Sequence, residues 1–277
     1  MKYEALYRTG VEILQRAGVE EALLDARLLL EEVCGTDRNT LLAHGDQEVA
    51  RQQKECYENF ISLRSRHVPL QHIIGYQDFM GLRFKVSPAV LIPRQDTETL
   101  VEEVMRYLHD GMHILDVGTG SGCILLSLLR YSNDCVGVGC DLSGEALAVA
   151  RENASLLGME AEFVQSDLLE KINGKFEIIV SNPPYIRSGD IQWLMEEVRD
   201  HDPLMALDGG EDGLYFYRKM IAQSGEHLYP GGMLFLEIGY DQAREVAEYM
   251  EQAGYRDVKQ CKDLTGLDRV VYGRFPG

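Results

Sequence analysis

The chain has 277 residues, 45% of them hydrophobic, and a formal net charge of -18 at pH 7. That length and apolar content support a large core and one or two domains. The excess of carboxylates excludes a tight, sequence-independent grip on nucleic acid, which depends on neutralising phosphates with Lys and Arg. No apolar run approaches the roughly 20 residues needed to cross a bilayer, and Met1-Lys2-Tyr3-Glu4 opens no secretory signal. Cys34, Cys56, Cys123, Cys135, Cys140 and Cys261 show no paired metal-ligand spacing. Reduced thiols that behave as small hydrophobes are therefore expected, in a cytoplasmic protein without a membrane segment or a metal.

From residue 1 to about 72 the pattern is helical. Leu6, Val11, Ile13 and Leu14, then Leu23, Leu24, Leu28, Leu29, Leu30 and Val33, recur at three- and four-residue intervals among Glu and Arg. Gly35-Thr36-Asp37 ends the second stripe, and a third helix is predicted over Gln47 to Arg66. A small helical module follows from this, either a recognition domain or a structural cap. Between Arg51 and Arg94 the balance tips basic, with Lys54, Arg64, Arg66, Arg83 and Lys85 also present. That stretch is either a contact for an acidic partner or a solvated face. Pro69 then opens a segment, Leu70 to Val86, whose alternation around Gly81 predicts a β-hairpin, giving a linker over residues 73-94. After Leu91-Ile92-Pro93-Arg94, Asp96 or Thr97 is placed to cap a helix that carries Glu98 in its first turn and runs to Leu108.

Residues 95-277 alternate strand and helix signals. Strands are predicted over His113 to Val117, Val136 to Asp141, Ala161 to Val164, Phe176 to Ser181, Met233 to Ile238, Arg256 to Lys262 and Arg269 to Phe275. The helices between them include Ile124 to Arg130, Gly144 to Leu157, Leu214 to Leu228 and Asp241 to Gly254. The implied fold is α/β, a Rossmann-like doubly wound and mainly parallel sheet with its ligands at the carboxyl ends of the strands.

The first of these strands runs into Asp116-Val117-Gly118-Thr119-Gly120-Ser121-Gly122, where alternate glycines let the backbone turn tightly and approach a ligand ahead of a helix N-terminus. Asp141, at the end of the second strand, is placed for ribose hydroxyls. On that geometry alone the loop suits either NAD or S-adenosylmethionine. Two features favour the latter. Asp116 before the glycines is a poor neighbour for a pyrophosphate but a good one for an ammonium, and Gly-x-Gly-x-Gly departs from the dinucleotide spacing. Asp167 and Leu168, after the third strand, are placed to accept from an adenine amino group and to pack on its face, although Asp167 alone reads equally well as a helix cap.

The fourth strand, Phe176 to Ser181, ends in Asn182-Pro183-Pro184-Tyr185. Two consecutive prolines fix φ and remove two N-H donors, so the turn is stiff and presents acceptors. The Asn182 side-chain oxygen and the Pro183 carbonyl suit the two hydrogens of a planar NH2 group, on which Tyr185 can stack. Holding both hydrogens aims the delocalised nitrogen lone pair at an electrophile.

With these four strand ends in order, residues 95-277 resemble the class I S-adenosylmethionine-dependent methyltransferases, and the tetrapeptide is similar to that of enzymes that methylate planar amino or amide nitrogens. Pro69 to Gly75, Leu91-Ile92-Pro93-Arg94 with Glu98, Ala206 to Leu214 and Glu237-Ile238-Gly239 further resemble the release factor glutamine methyltransferases, the HemK or PrmC family, over nearly the whole chain. Gln95-Asp96 and His201-Asp202-Pro203 depart from that family's usual Pro-Glu and Glu-Pro. The resemblance implies a helical substrate-recognition domain over residues 1-72, joined by the hairpin to the methyltransferase domain. It implies methylation of the glutamine amide in the Gly-Gly-Gln motif of class I peptide chain release factors, with S-adenosylhomocysteine as product. It places Asp116, Gly118, Thr119, Gly120, Ser121, Gly122, Asp141, Asp167, Leu168 and Asn182 around the cofactor, Asn182, Pro183, Pro184 and Tyr185 around the substrate, and catalysis at Asn182, Pro183 and Tyr185. A monomer that forms no stable complex with DNA is expected. The competing readings are a glutamine methyltransferase of a ribosomal protein, an adenine-specific DNA methyltransferase, which would need a basic target-recognition segment, and a non-catalytic sensor of the cofactor.

Overall fold

The structure, a computed structural model, describes residues 1-277 in two compact units: 1-75 with 195-201, and 76-194 with 202-277. Five helices build the N-terminal part of the first: α1 (Tyr3–Arg16), α2 (Ala22–Cys34), α3 (Arg38–Ala43), α4 (Arg51–Arg64) and α5 (Leu70–Ile74). Of the apolar stripes read from the sequence, Leu6, Val11, Leu14, Leu29 and Leu30 are buried in its core together with Ala26 and Ile61, whereas Ile13, Leu23 and Leu24 are exposed. Tyr57 donates its hydroxyl to the Ala26 carbonyl at 3.1 Å, and α1 passes it so closely that a Cβ at Gly10 would lie 2.1 Å from that oxygen.

Two differences from the sequence reading have local causes. Gly35, at φ +59°, ends α2 as expected, but the Asp37 side chain accepts from Thr40 N at 2.8 Å and so starts the short α3. Leu70–Ile74, assigned above to the hairpin, is a helix. Pro69 opens it and Gly75, at φ +86°, closes it in the left-handed region. The hairpin itself comprises only β1 (Tyr76–Phe79) and β2 (Leu82–Lys85), joined by Met80 and Gly81, both at positive φ as a two-residue hairpin turn demands.

The hairpin is part of the second unit's core, into which Phe79 and Phe84 are buried. Asn153 secures it, accepting from Lys85 N at 2.7 Å while donating to the carbonyls of Lys85 and Ser121. A single 3-10 turn, 95-97, precedes α6 (Glu98–Met105), and neither Asp96 nor Thr97 caps it through a side chain. The alternation that follows is β3 (His113–Val117), α7 (Cys123–Arg130), β4 (Val136–Asp141), α8 (Gly144–Leu156), β5 (Glu162–Gln165) and β6 (Phe176–Ser181). After α9 (Glu196–His201), which belongs to the first unit, come α10 (Tyr215–His227), β7 (Leu228–Glu237), α11 (Ala243–Gln252), β8 (Arg256–Lys262) and β9 (Asp268–Arg274).

Seven strands form one sheet in the order β5-β4-β3-β6-β7-β9-β8, parallel except for the antiparallel pairings of β9 with β7 and β8. This is the doubly wound sheet expected. Its strands are apolar because both faces are covered. In β6, Ile178 and Val180 face α6 and α7, whereas Ile179 faces α10 and α11. Chain order reverses between β3 and β6, where Val117 pairs with Ser181, so the segments leaving these two strands emerge side by side at the switch point.

Six basic residues of the stretch singled out in the sequence pair with carboxylates of the chain. Arg51 pairs with Glu55, Lys54 with Glu58, Arg83 with Asp78, Lys85 with Glu152 and Arg94 with Asp202. Arg64 is buried: its Nε lies 2.7 Å from Asp25 Oδ2 and its Nη2 meets Glu197. Removing one member of a buried ion pair leaves the other charge uncompensated. Arg64→Leu is therefore expected to destabilise the first unit by about 3 kcal/mol in urea unfolding. Glu197→Gln, at the better exposed partner, is expected to cost less than about 1 kcal/mol. Equal costs for the two would show that the Arg64-Asp25 pair is not what holds this unit.

Candidate functional site

At the carboxyl edge of the sheet a cavity of about 470 Å³ is lined by Gly118, Thr119, Gly120 and Ser121 after β3, Asp141 and Leu142 after β4, Ser166, Asp167 and Leu168 after β5, and Ser181 to Pro184 after β6. The loop after β3 is shaped by its backbone. Gly118, Gly120 and Gly122 have φ of +73°, +54° and +80°, and the amides of Gly118 and Thr119 both donate to the Cys140 carbonyl. A Cβ on Gly118 would meet no atom within 4 Å. It would project into open space, beside which the loop leaves room for a ligand.

Asp141 shows how the cavity fits its ligand. Its Oδ2 accepts from Gly120 N at 2.9 Å and its Oδ1 from Ser143 N at 2.8 Å, so the carboxylate is fixed in the wall by two amides. A carboxylate carries about four lone-pair sites, which leaves two to accept from hydroxyls such as those of a ribose. Burial pushes the Asp141 pKa above its ordinary value, opposed by these amides. Leu168, half-buried at φ +47°, and Phe216 supply apolar wall near Asp167. Glycine cradle, hydroxyl acceptor and apolar slot together suit S-adenosylmethionine.

Three residues expected at the ligand do not line this cavity. Asp116 is fully buried beneath the loop, where its Oδ2 accepts from Thr119 Oγ1 at 2.7 Å, so it reaches the cavity only through Thr119. Desolvation raises its pKa to about 7. Gly122 is an interhelical contact: a Cβ there would come within 3.3 Å of the Ala150 Cβ on α8. Tyr185 is half-buried away from the wall, and burial raises its phenol pKa to about 12.

The turn after β6 is braced from three sides. Ser181 Oγ donates to the Val117 carbonyl at 2.6 Å, tying the turn to the cofactor loop. Gln242 Nε2 donates to the Tyr185 carbonyl at 3.0 Å and to that of Gly213 at 3.2 Å, while its Oε1 accepts from Gly239 N. Asp208 to Gly213 then folds back beneath. Ile186 N donates to Leu207 O and Gly209 N to Ile186 O, and a Cβ on Gly209 would lie 2.8 Å from the Pro184 oxygen. On the inner side Asn182 Nδ2 donates to Thr97 Oγ1 at 3.2 Å.

Thr97 and Gln242 carry no motif signal for this role, and Glu237 is marked only by the Glu237-Ile238-Gly239 resemblance, which assigns it none. Thr97 reads as a helix cap, and only its position before Glu98 in the resemblance marks it. Glu237 is buried at the end of β7, and desolvation raises its pKa to about 7 against the hydrogen bonds of Thr97 and Asn182.

A sheet of this order, with one antiparallel strand let in beside β7 and its ligand cavity at the reversal of strand order, is that of a class I S-adenosylmethionine-dependent methyltransferase. A methyltransferase crystal structure from Pyrococcus furiosus shares the fold, with a TM-score of 0.54 at 21% identity over 71% of this chain and 90% of that one. Residues 5–75 match the family described as the PrmC N-terminal domain, and residues 95–198 match the methyltransferase small domain. The release factor glutamine methyltransferase of Geobacter sulfurreducens is 40% identical over 94% of this chain and 92% of its own length. That of Clostridium acetobutylicum is 39% identical over 98% of each. The chain belongs to the release factor glutamine methyltransferase family, and it uses S-adenosylmethionine.

Gly209 tests the brace under the turn. Since the nearest atoms to an added Cβ are backbone atoms of Pro184 and Tyr185, Gly209→Ala must shift the turn. A displacement of about 1 Å at a reacting centre costs on the order of 10²-fold in rate. Gly209→Ala is expected to lose methyl transfer on that scale while binding S-adenosylmethionine with little change by calorimetry.

Proposed function

We propose that the chain methylates the side-chain amide nitrogen of the glutamine in the Gly-Gly-Gln motif of class I peptide chain release factors, as a monomer, in the cytoplasm and without a metal. The observation that carries this reading is the pair of acceptors in the cavity wall. Asn182 has its NH2 turned back to Thr97, and Pro183, lacking an N-H, has only its carbonyl to offer. Such a pair is suited to a primary amide and offers no donor that competes for its nitrogen. The names of the relatives at about 40% identity support the release factor as the protein that carries the amide. The six free cysteines suit a reducing compartment. No helix is long and apolar enough to cross a membrane.

S-adenosylmethionine supplies an electrophilic methyl group and leaves as S-adenosylhomocysteine. Gly118, Thr119, Gly120 and Ser121 hold its amino-acid end, with Asp116 fixing Thr119 from below, and Gly122 lets α7 and α8 close behind them. Asp141 takes the ribose hydroxyls, and Asp167 and Leu168 the adenine. Asn182 Oδ1 and the Pro183 carbonyl accept the two amide hydrogens, so the lone pair is turned toward the methyl carbon. With the cofactor bound, the amide nitrogen so held would take the methyl group from sulfur and lose its surplus proton to water. Pro184 and Tyr185 keep the turn rigid, Tyr185 through the bond of its carbonyl to Gln242. Fixed orientation carries most of the rate, since a positioned reactant can gain effective molarities of roughly 10⁵ to 10⁸ M.

Incubation with S-adenosylmethionine and a purified class I release factor, followed by peptide mass analysis, is expected to add one methyl group to the Gly-Gly-Gln glutamine and none when that residue is replaced. Methyl on a ribosomal protein or on DNA instead would overturn the substrate. Asn182→Ala is expected to lower kcat by at least about 10²-fold with unchanged cofactor affinity. Parallel losses in both would remove Asn182 from the substrate site.

A further inference from the structure

The acceptor role of Asn182 depends on which way its carboxamide is turned, and oxygen and nitrogen of an amide exchange places by a half rotation. Thr97 does not decide between them, because a hydroxyl both donates and accepts. The decision lies one residue deeper. Glu237, 2% exposed at the end of β7, lies close enough to the side chains of Thr97 and Asn182 for both to favour its ionised form, and its Oε2 has no hydrogen-bond partner. Thr97 is equally buried, and Glu237 does not line the cavity. A carboxylate only accepts. An amide that faces one must present its NH2, and Asn182 then has only Oδ1 left for the cavity.

We propose that Glu237 is a positioning residue of the methyl-transfer site, which sets the Asn182 carboxamide through Thr97 so that its oxygen meets the substrate nitrogen. The proposal rests on the substrate-acceptor reading of Asn182 given above.

The protonation of Glu237 then controls the site. A neutral carboxyl both donates and accepts, satisfies either orientation of the amide, and lets Asn182 turn its NH2 toward the substrate NH2, which removes an acceptor. Burial raises the Glu237 pKa to about 7. Arg269 on β9, held by Asp263 and Asp96, favours the ionised form, and Asp96 opposes it. Cys123 and Tyr185, whose pKa values burial pushes to about 12, and Tyr217, pushed higher still, keep their protons throughout. The active form is the carboxylate. Methyl transfer is therefore expected to fall as pH drops through about 7.

The test compares the wild type with Glu237→Gln, Thr97→Val and Thr97→Ser. Methyl transfer to a release factor is followed between about pH 6 and 8, cofactor affinity is measured by calorimetry, and the Asn182 side-chain ¹H-¹⁵N resonances are identified by their loss in Asn182→Asp. In the wild type the acid limb appears and the Asn182 resonances move with the same midpoint. Glu237→Gln abolishes both pH responses and lowers kcat by about tenfold. Thr97→Val lowers kcat by about 10²-fold with KM and cofactor affinity nearly unchanged, and Thr97→Ser restores it. An acid limb that survives in Glu237→Gln, Asn182 resonances indifferent to pH, or Thr97→Val losing cofactor affinity in step with kcat would each overturn the proposal. Where Glu237→Gln fails to fold, the Thr97 pair decides alone. The resonances need no substrate, so failure to methylate the release factor would remove that substrate and leave this inference to be judged by them.

Discussion

Everything at the site depends on the parallel pairing of β3 with β6. With Val117 opposite Ser181, two segments separated by more than sixty residues leave the sheet together, one a glycine cradle and the other a turn of acceptors. A one-residue slip in either strand would exchange its buried faces, placing Ile179 where Ile178 and Val180 now meet α6 and α7. The core therefore enforces the register, and the register sets the distance between the ligand loop and the acceptor turn. The Ser181 hydroxyl on the Val117 carbonyl locks the last step of that pairing.

The fold was legible because its strands are buried on both faces and read as apolar runs, and because the glycine loop and the Asn-Pro-Pro-Tyr turn are local chemistry. Positions that line the cavity by backbone, such as Gly118 and Gly120, were legible for the same reason. Asp116 and Gly122 share that motif, yet one acts through Thr119 and the other through helix packing. Spacing places a residue in a loop but does not tell which way it points. Leu70–Ile74 read as strand because its alternation continues without a break into the hairpin, while the helix is defined by the Pro69 and Gly75 that bracket it.

The residues that were not legible act across long sequence distances. Thr97 and Glu237 come from separate segments and reach Asn182, which its own motif marks, only because α6 starts and β6 and β7 end at one edge. Thr97 and Glu237 have ordinary local explanations, as cap and strand residue, and neither signals its connection to Asn182. The basic stretch shows the converse, a cluster in sequence that is not one in charge. Arg51, Lys54, Arg64, Arg83, Lys85 and Arg94 cluster in sequence, but each finds its own carboxylate, and Arg64 is buried against Asp25.

Glycine near the site stands for close approach more than for mobility. Gly209 lies where a methyl group would strike the Pro184 carbonyl, and Gly213 where it would come within 2.5 Å of the Tyr185 oxygen. Backbone bonds from Ile186 and Ser188 to Leu207 and Gly210 close this segment onto the turn, which fixes it as a brace. The prolines restrict φ from within, and the glycines let other backbone press the turn from without. A rigid acceptor pair needs both, because a turn free to move by the length of a hydrogen bond would hold the amide without aiming its lone pair.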